Sequence, residues 1–180
     1  MATTTTRLTI EDFEQLPAEM AEGHELVDGE LIDVSGNNLE HNSIRDMLIE
    51  NARPFVRERG LGFVVSEQEY DFEGNVHGPD VSFFGLEKLP LCHAGKRVQR
   101  FVPDLAIEIV SANDTFQALV RKKERYRSCG TREVWIISPD SREVYVFSER
   151  GNQILGDEAE LSTPLIPGFQ IPVKRLFDTI

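Results

Sequence analysis

Six consecutive residues, Leu105-Ala106-Ile107-Glu108-Ile109-Val110, constrain this chain more than any other stretch. The run is too uniformly apolar for a half-solvated strand, whose side chains alternate between core and water. It predicts a central strand covered on both faces. Glu108 breaks the run. An ionised carboxylate in such a place costs several kcal/mol unless it is paired or holds a metal, so Glu108 demands a partner.

The residues that follow offer one. Asp114 can cap a helix, Gln117 stands at the capping-box position, and Gly130 supplies a stop, which predicts a helix over 115–128. On a helical wheel Phe116, Leu119, Val120 and Tyr126 form the buried stripe, with Lys122 beside Tyr126 at its edge. From there a lysine stem can run along the core while its ammonium reaches back to the strand. Lys123 lies nearer the middle of the stripe and is a rival for that role.

A chain of 180 residues with 40% hydrophobic content suits one domain with a sizeable core, expected over 9–180 behind a disordered tail at 1–8. No apolar run is long enough to span a bilayer, and the opening MATTTTRLTIEDF has neither the basic nor the apolar part of a signal peptide, so a cytoplasmic protein is expected. Cys92 and Cys129 lack metal-ligand spacing and read as inert, reduced thiols. The net charge of −12 argues against a protein that coats nucleic acid. Yet eight of the 19 basic residues cluster at Lys96, Arg97, Arg100 and Arg121 to Arg127, around the organising stretch. That cluster reads equally well as a solvated helix face.

Taken in order, Thr9 caps a short helix ending near Pro17, and Glu19 to Gly23 form a loop. His24 to Val34 predict a hairpin about Asp28-Gly29, with Glu25 on its first arm. The pattern from His41 to Arg57 predicts a helix with Pro54 as an obstacle. His41 opens it, and with no second His or Cys at ligand spacing it reads as a surface or capping histidine in preference to a metal ligand. Phe63 to Phe72 read as one strand with an acidic face, and Asp80 to Phe84 as another that begins with an acid. Residues 85–100 form a basic-ending rim loop, 133–138 and 143–147 a second hairpin, and the rest a loop-rich closure ending in a short segment from Val173 to Phe177.

Asp80 is the natural companion of Glu108, since adjacent strands could bring the two carboxylates to one point. Two such oxygens, a backbone carbonyl and waters suit Mg²⁺, which takes few carboxylates and keeps several waters. A Pro-Asp pair also has a purely structural reading as a turn.

His24-Glu25-Leu26-Val27-Asp28-Gly29-Glu30, His41, Pro79-Asp80-Val81, Pro103 to Ser111, Lys122 with Tyr126, and Gly130 to Trp135 together resemble the Uma family of restriction-endonuclease-like proteins, over about residues 24–148. The resemblance implies the PD-(D/E)XK nuclease superfamily. Its fold is an α/β (α+β) restriction-endonuclease-like core, a central mixed β-sheet flanked by helices, here with an N-terminal β-hairpin. It implies Mg²⁺-dependent hydrolysis of DNA phosphodiesters, with Mn²⁺ as a substitute, and by analogy a homodimer. Asp80 and Glu108 become metal ligands with the Ile109 carbonyl, and Lys122 the active lysine. The superfamily's usual lysine position, two after the second acid, holds Val110, as is typical of this family. The family pattern favours Lys122 over Lys123 and sets Glu25 and His41 at the border of the site. Gly78 departs from the basic residue the family often carries before Pro-Asp. Two other readings stand beside this one: a non-catalytic nuclease fold in which Lys122 merely satisfies Glu108, and a hydrolase of smaller phosphoesters.

Overall fold

A computed structural model describes residues 7–34 and 36–178. Of the expected tail, residues 1–6 lie outside the described residues, while the Leu8 N–H bonds the Gly29 carbonyl at 2.9 Å. Two short helices, α1 (Ile10–Glu14) and α2 (Ala18–Ala21), lead into the hairpin β1 (His24–Val27) and β2 (Glu30–Asp33). Thr9 caps α1 through a complete capping box with Asp12. The stretch expected as a loop after Pro17 is thus partly helical. Asp28 and Gly29, with φ of 51° and 83°, make the hairpin turn that the Asp-Gly pair predicts.

The long helix α3 (Leu39–Glu58) is capped by Asn38 and runs through Pro54, so the proline does not end it. Its buried stripe of Ile44, Leu48, Ala52 and Val56 holds it against the main sheet. Next come β3 (Gly62–Ser66), β4 (Glu69–Phe72), β5 (Asn75–His77), β6 (Val81–Gly85), the two-residue β7 (Val98–Gln99) and β8 (Leu105–Ile109). Helix α4 (Phe116–Ser128) then precedes β9 (Glu133–Ser138), β10 (Glu143–Ser148), β11 (Gly151–Leu155), the pair β12 (Glu160–Ser162) and β13 (Gln170–Pro172), and α5 (Val173–Phe177).

The main sheet has the order β11-β10-β9-β8-β6-β3 and is mixed, because β8 and β9 run parallel while its other pairs are antiparallel. A smaller sheet, β2-β1-β5-β4-β7, carries the hairpin. The single strand expected over 63–72 is therefore two strands in different sheets. Glu67, at φ 52°, turns the chain between them, and its N–H bonds the carbonyls of Pro79 and Asp80. Alternation stays in phase across the break, since Val64, Tyr70 and Phe72 are all buried, so the pattern shows no seam. The expected rim loop contains a 3₁₀ turn (Leu86–Leu91) and β7, and the expected loop-rich closure contains β11, β12 and β13.

Strand β8 is buried along its whole length, as its apolar run predicts. Leu105, Ile107 and Ile109 join the core beneath α3 and α5, which also holds Trp135 and Ile137. Ala106 points to the opposite face, where α4 covers the sheet with Tyr126, Tyr70, Phe72 and Phe101. Strand alternation therefore sends Glu108 to the α4 side. Among the described residues, no helix is long and apolar enough to cross a membrane.

Candidate active site

The register of β6 on β8 pairs Val81 with Ile107, and one step further sets Asp80 opposite Glu108. Asp80 Oδ2 accepts the Ile109 N–H at 2.7 Å, which fixes the first carboxylate against the strand that carries the second. Its other oxygen lies 3.2 Å from His41 Nε2, on the first turn of α3. Both acids line a cleft of about 780 Å³ whose walls include the hairpin, the start of α3 and the inward side of α4.

Both oxygens of Glu108 are occupied. Tyr126 donates its hydroxyl to Oε1 at 2.6 Å, and Lys122 donates to Oε2 at 3.0 Å. Lys122 and Tyr126 stand four residues apart on one side of α4, so the helix delivers both to the same carboxylate. The Lys122 ammonium is also 3.0 Å from Glu25 Oε1, on β1 of the smaller sheet. Glu25 in turn accepts the Gly78 N–H at 3.1 Å and lies 2.8 Å from His77 Nδ1. A carboxylate can only accept there, so Nδ1 carries the proton. Arg125 completes the wall, reaching His77 Nε2 at 3.5 Å and Asp28 at 3.1 Å.

Charge follows from this packing. Burial pushes the Glu108 carboxyl up to about 8; Lys122 pulls the other way, and the nearby Asp80 and Glu25 charges offset part of that pull. Burial acts the same way on Glu25, but there Lys122 and His77 win and hold it at about 2. Burial opposes the Lys122 charge too, yet two flanking carboxylates keep the ammonium well above its usual value. Burial would lower His41, but its bond to Asp80 raises it; His77 is lowered by burial against the pull of Glu25. His41 Nδ1 is buried without a hydrogen-bond partner.

Residues 10–174 match the family Uma2, described as "Putative restriction endonuclease". This chain belongs to the Uma2 family. A solved structure from Anabaena variabilis ATCC 29413, described as "a putative nuclease belonging to DUF820", is similar to it over 94% of this chain and 97% of that one, with a TM-score of 0.83 and 22% identity. That likeness bears on the fold, a mixed α+β arrangement of sheets flanked by helices with a restriction-endonuclease-like core. No curated protein matches the chain. Membership of Uma2 supports a nuclease-like function.

Set on this Uma2 fold, Asp80, Glu108, Ile109, Lys122, Glu25 and His41 all line or enter one cleft. His41 corrects its sequence reading: it is buried against Asp80, and Asn38 does the capping. Lys123 does not join them. Its ammonium sits 3.7 Å from Glu124 and 5.3 Å from the Phe147 ring centre. Helix α4 starts at Phe116 with Thr115 as its cap, not Asp114, which instead accepts from the Ser111 N–H and hydroxyl. Phe116 is 82% exposed, so the expected stripe is wrong at its first member, and Tyr126 is the one residue of α4 that is fully buried. The sequence reading missed His77 and the hydroxyl of Tyr126 as parts of the site. An aromatic on the core stripe gives no sign of where its oxygen points, and nothing in the spacing around His77 marks it as part of a site.

The donor set fits Mg²⁺ better than a softer ion. Among the described residues no three His, Cys, Asp or Glu side chains are grouped to hold a metal; the two facing carboxylates of the cleft offer hard oxygen donors of the kind that suits an ion retaining its water. The repulsion between Asp80 and Glu108 that helps lift the Glu108 carboxyl is what a cation between them would relieve.

Proposed function

We propose that this protein is a Mg²⁺-dependent endonuclease that hydrolyses DNA phosphodiester bonds. The observation that carries the reading is the convergence of Asp80, just before β6, Glu108 on β8 and Lys122 on α4 in one cleft of a Uma2 chain. Asp80, Glu108 and the Ile109 carbonyl would hold the ion, which when bound supplies a Lewis acid that acidifies water and polarises a phosphoryl oxygen. Lys122 keeps its proton between Glu25 and Glu108, so it serves as a charged donor to the developing phosphoryl charge and not as a base. His41 holds Asp80 in place, and Tyr126 orients Glu108. Carboxylates outnumber Arg and Lys side chains along the cleft, so a polyanion enters it only with cations present. Arg121 and Arg125 on the α4 wall offer contacts for flanking phosphates. A cytoplasmic homodimer, able to address both strands of a duplex, completes the proposal.

The test is calorimetric titration of Mg²⁺ or Mn²⁺ into the wild type and Glu108→Ala, with folding checked by circular dichroism and plasmid cleavage followed in parallel. Binding and cleavage lost together in a folded variant support the reading. The Lys122–Glu108 ion pair is also what a non-catalytic nuclease fold would retain. A wild type that binds no divalent ion, even with DNA present, selects that second reading.

A further inference from the structure

We propose that Glu25 is the positioning residue that takes Lys122 from Glu108 when a divalent cation binds, which rests on the metal-dependent reading above. One ammonium is shared here between two carboxylates, at 3.0 Å from Glu25 Oε1 and 3.0 Å from Glu108 Oε2. Tyr126 already occupies the remaining oxygen of Glu108. A cation that binds Glu108 therefore competes with the Lys122 charge at Oε2. An ammonium leaving that oxygen is repelled by the incoming charge, and it needs a second anion within reach to stay in the cleft.

Glu25 is built to be that anion. It belongs to β1 of the smaller sheet, not to the sheet that carries Asp80 and Glu108, so it can hold Lys122 without itself joining the metal site. Its carboxylate is 5% exposed and pinned independently of Lys122, by the Gly78 N–H on one oxygen and by His77 Nδ1 on the other. Gly78 stands two residues before Asp80, so one short segment fixes both the metal-facing acid and the anchor of the lysine's second partner. In the metal-free protein Lys122 is shared between Glu108 and Glu25. In the metal-bound protein it rests on Glu25, with donors free for phosphate.

Mn²⁺ affinity of the wild type, E25Q, K122M and the double variant, measured by calorimetry on samples shown to be folded, reads this coupling. E25Q is expected to weaken Mn²⁺ binding about tenfold, because Lys122 then stays on Glu108, and K122M to tighten it. In the K122M background the effect of E25Q should shrink to about twofold. An equal weakening in both backgrounds, or none in either, overturns the inference while leaving metal binding intact. A wild type that binds no Mn²⁺ overturns the nuclease reading and this inference together. If K122M does not fold, a crystal structure of the Mn²⁺-loaded wild type decides. Lys122 on Glu25 and off Glu108 is the expected arrangement, and Lys122 still bonded to Glu108 refutes it.

Discussion

Tyr126→Phe removes one oxygen and tests the local electrostatics of the site with little disturbance of packing. The ring of Tyr126 is fully buried and stacks on Phe72 with centroids 4.4 Å apart, edge-on to His77 at 5.5 Å. Phenylalanine keeps those contacts and leaves no large cavity, so the loss is that of the bond to Glu108 Oε1. A hydrogen bond to a charged acceptor contributes about 1.5–3 kcal/mol, against about 1 kcal/mol for a neutral one. The cost should therefore grow with pH as Glu108, lifted to about 8, becomes ionised. At pH 9 the variant should lose about 2 kcal/mol, or about 4–8 °C in Tm for a chain of this size, and at pH 6 about half as much. Urea and thermal unfolding of both proteins without metal, at the two pH values, measure it. A loss that is the same at both, or larger at pH 6, refutes the assignment of a raised Glu108 carboxyl held by Tyr126.

Three other outcomes follow from the same structure. Gly62→Ala should cost well over about 1 kcal/mol in an unfolding titration, because at φ 152° its new Cβ would clash with the Phe84 carbonyl oxygen in the neighbouring strand. Phe116→Ser should change stability by less than about 0.5 kcal/mol, since a side chain so exposed gives up little on mutation; a large loss would mean that it packs against something. Glu25 has a folded pKa of about 2 against 4.5 in its reference state, so its contribution to stability is present above pH 4.5 and is lost as pH falls towards 2. Glu25→Gln should flatten that part of the stability profile, and an unchanged acid slope would contradict the buried Glu25–Lys122–His77 cluster.

The burial of β8 was legible because five residues in a row leave no polar face, and a single acid in such a run must meet a cation. Helix periodicity brought Lys122 to the edge of the buried side beside Tyr126 but left Lys123 as a rival; the family pattern favoured Lys122, which is the lysine that pairs with Glu108. Registers and turns were less legible. The passage of the chain between sheets at Glu67 rests on one residue with positive φ, which a non-glycine sequence does not advertise. His41 was misread because its partner, Asp80, lies far along the chain and is brought near only by α3 packing on the main sheet. Two of the three Pro-Asp pairs show the same limit. Asp80 faces the cleft, whereas Asp104 accepts the Gly85 N–H and pairs with Lys88, a structural role that the dipeptide itself does not reveal. Phe116 failed for a different reason: wheel position gives direction, but α4 begins beyond the cover of the sheet.

The most direct test of the central claim is cleavage of supercoiled plasmid DNA by the purified protein with Mg²⁺ or Mn²⁺, set against Asp80→Asn and against excess chelator. The account predicts nicked or linear product with the wild type and metal, and none with the folded variant or without metal. Cleavage that persists equally in Asp80→Asn, or that proceeds undiminished in chelator, would contradict it.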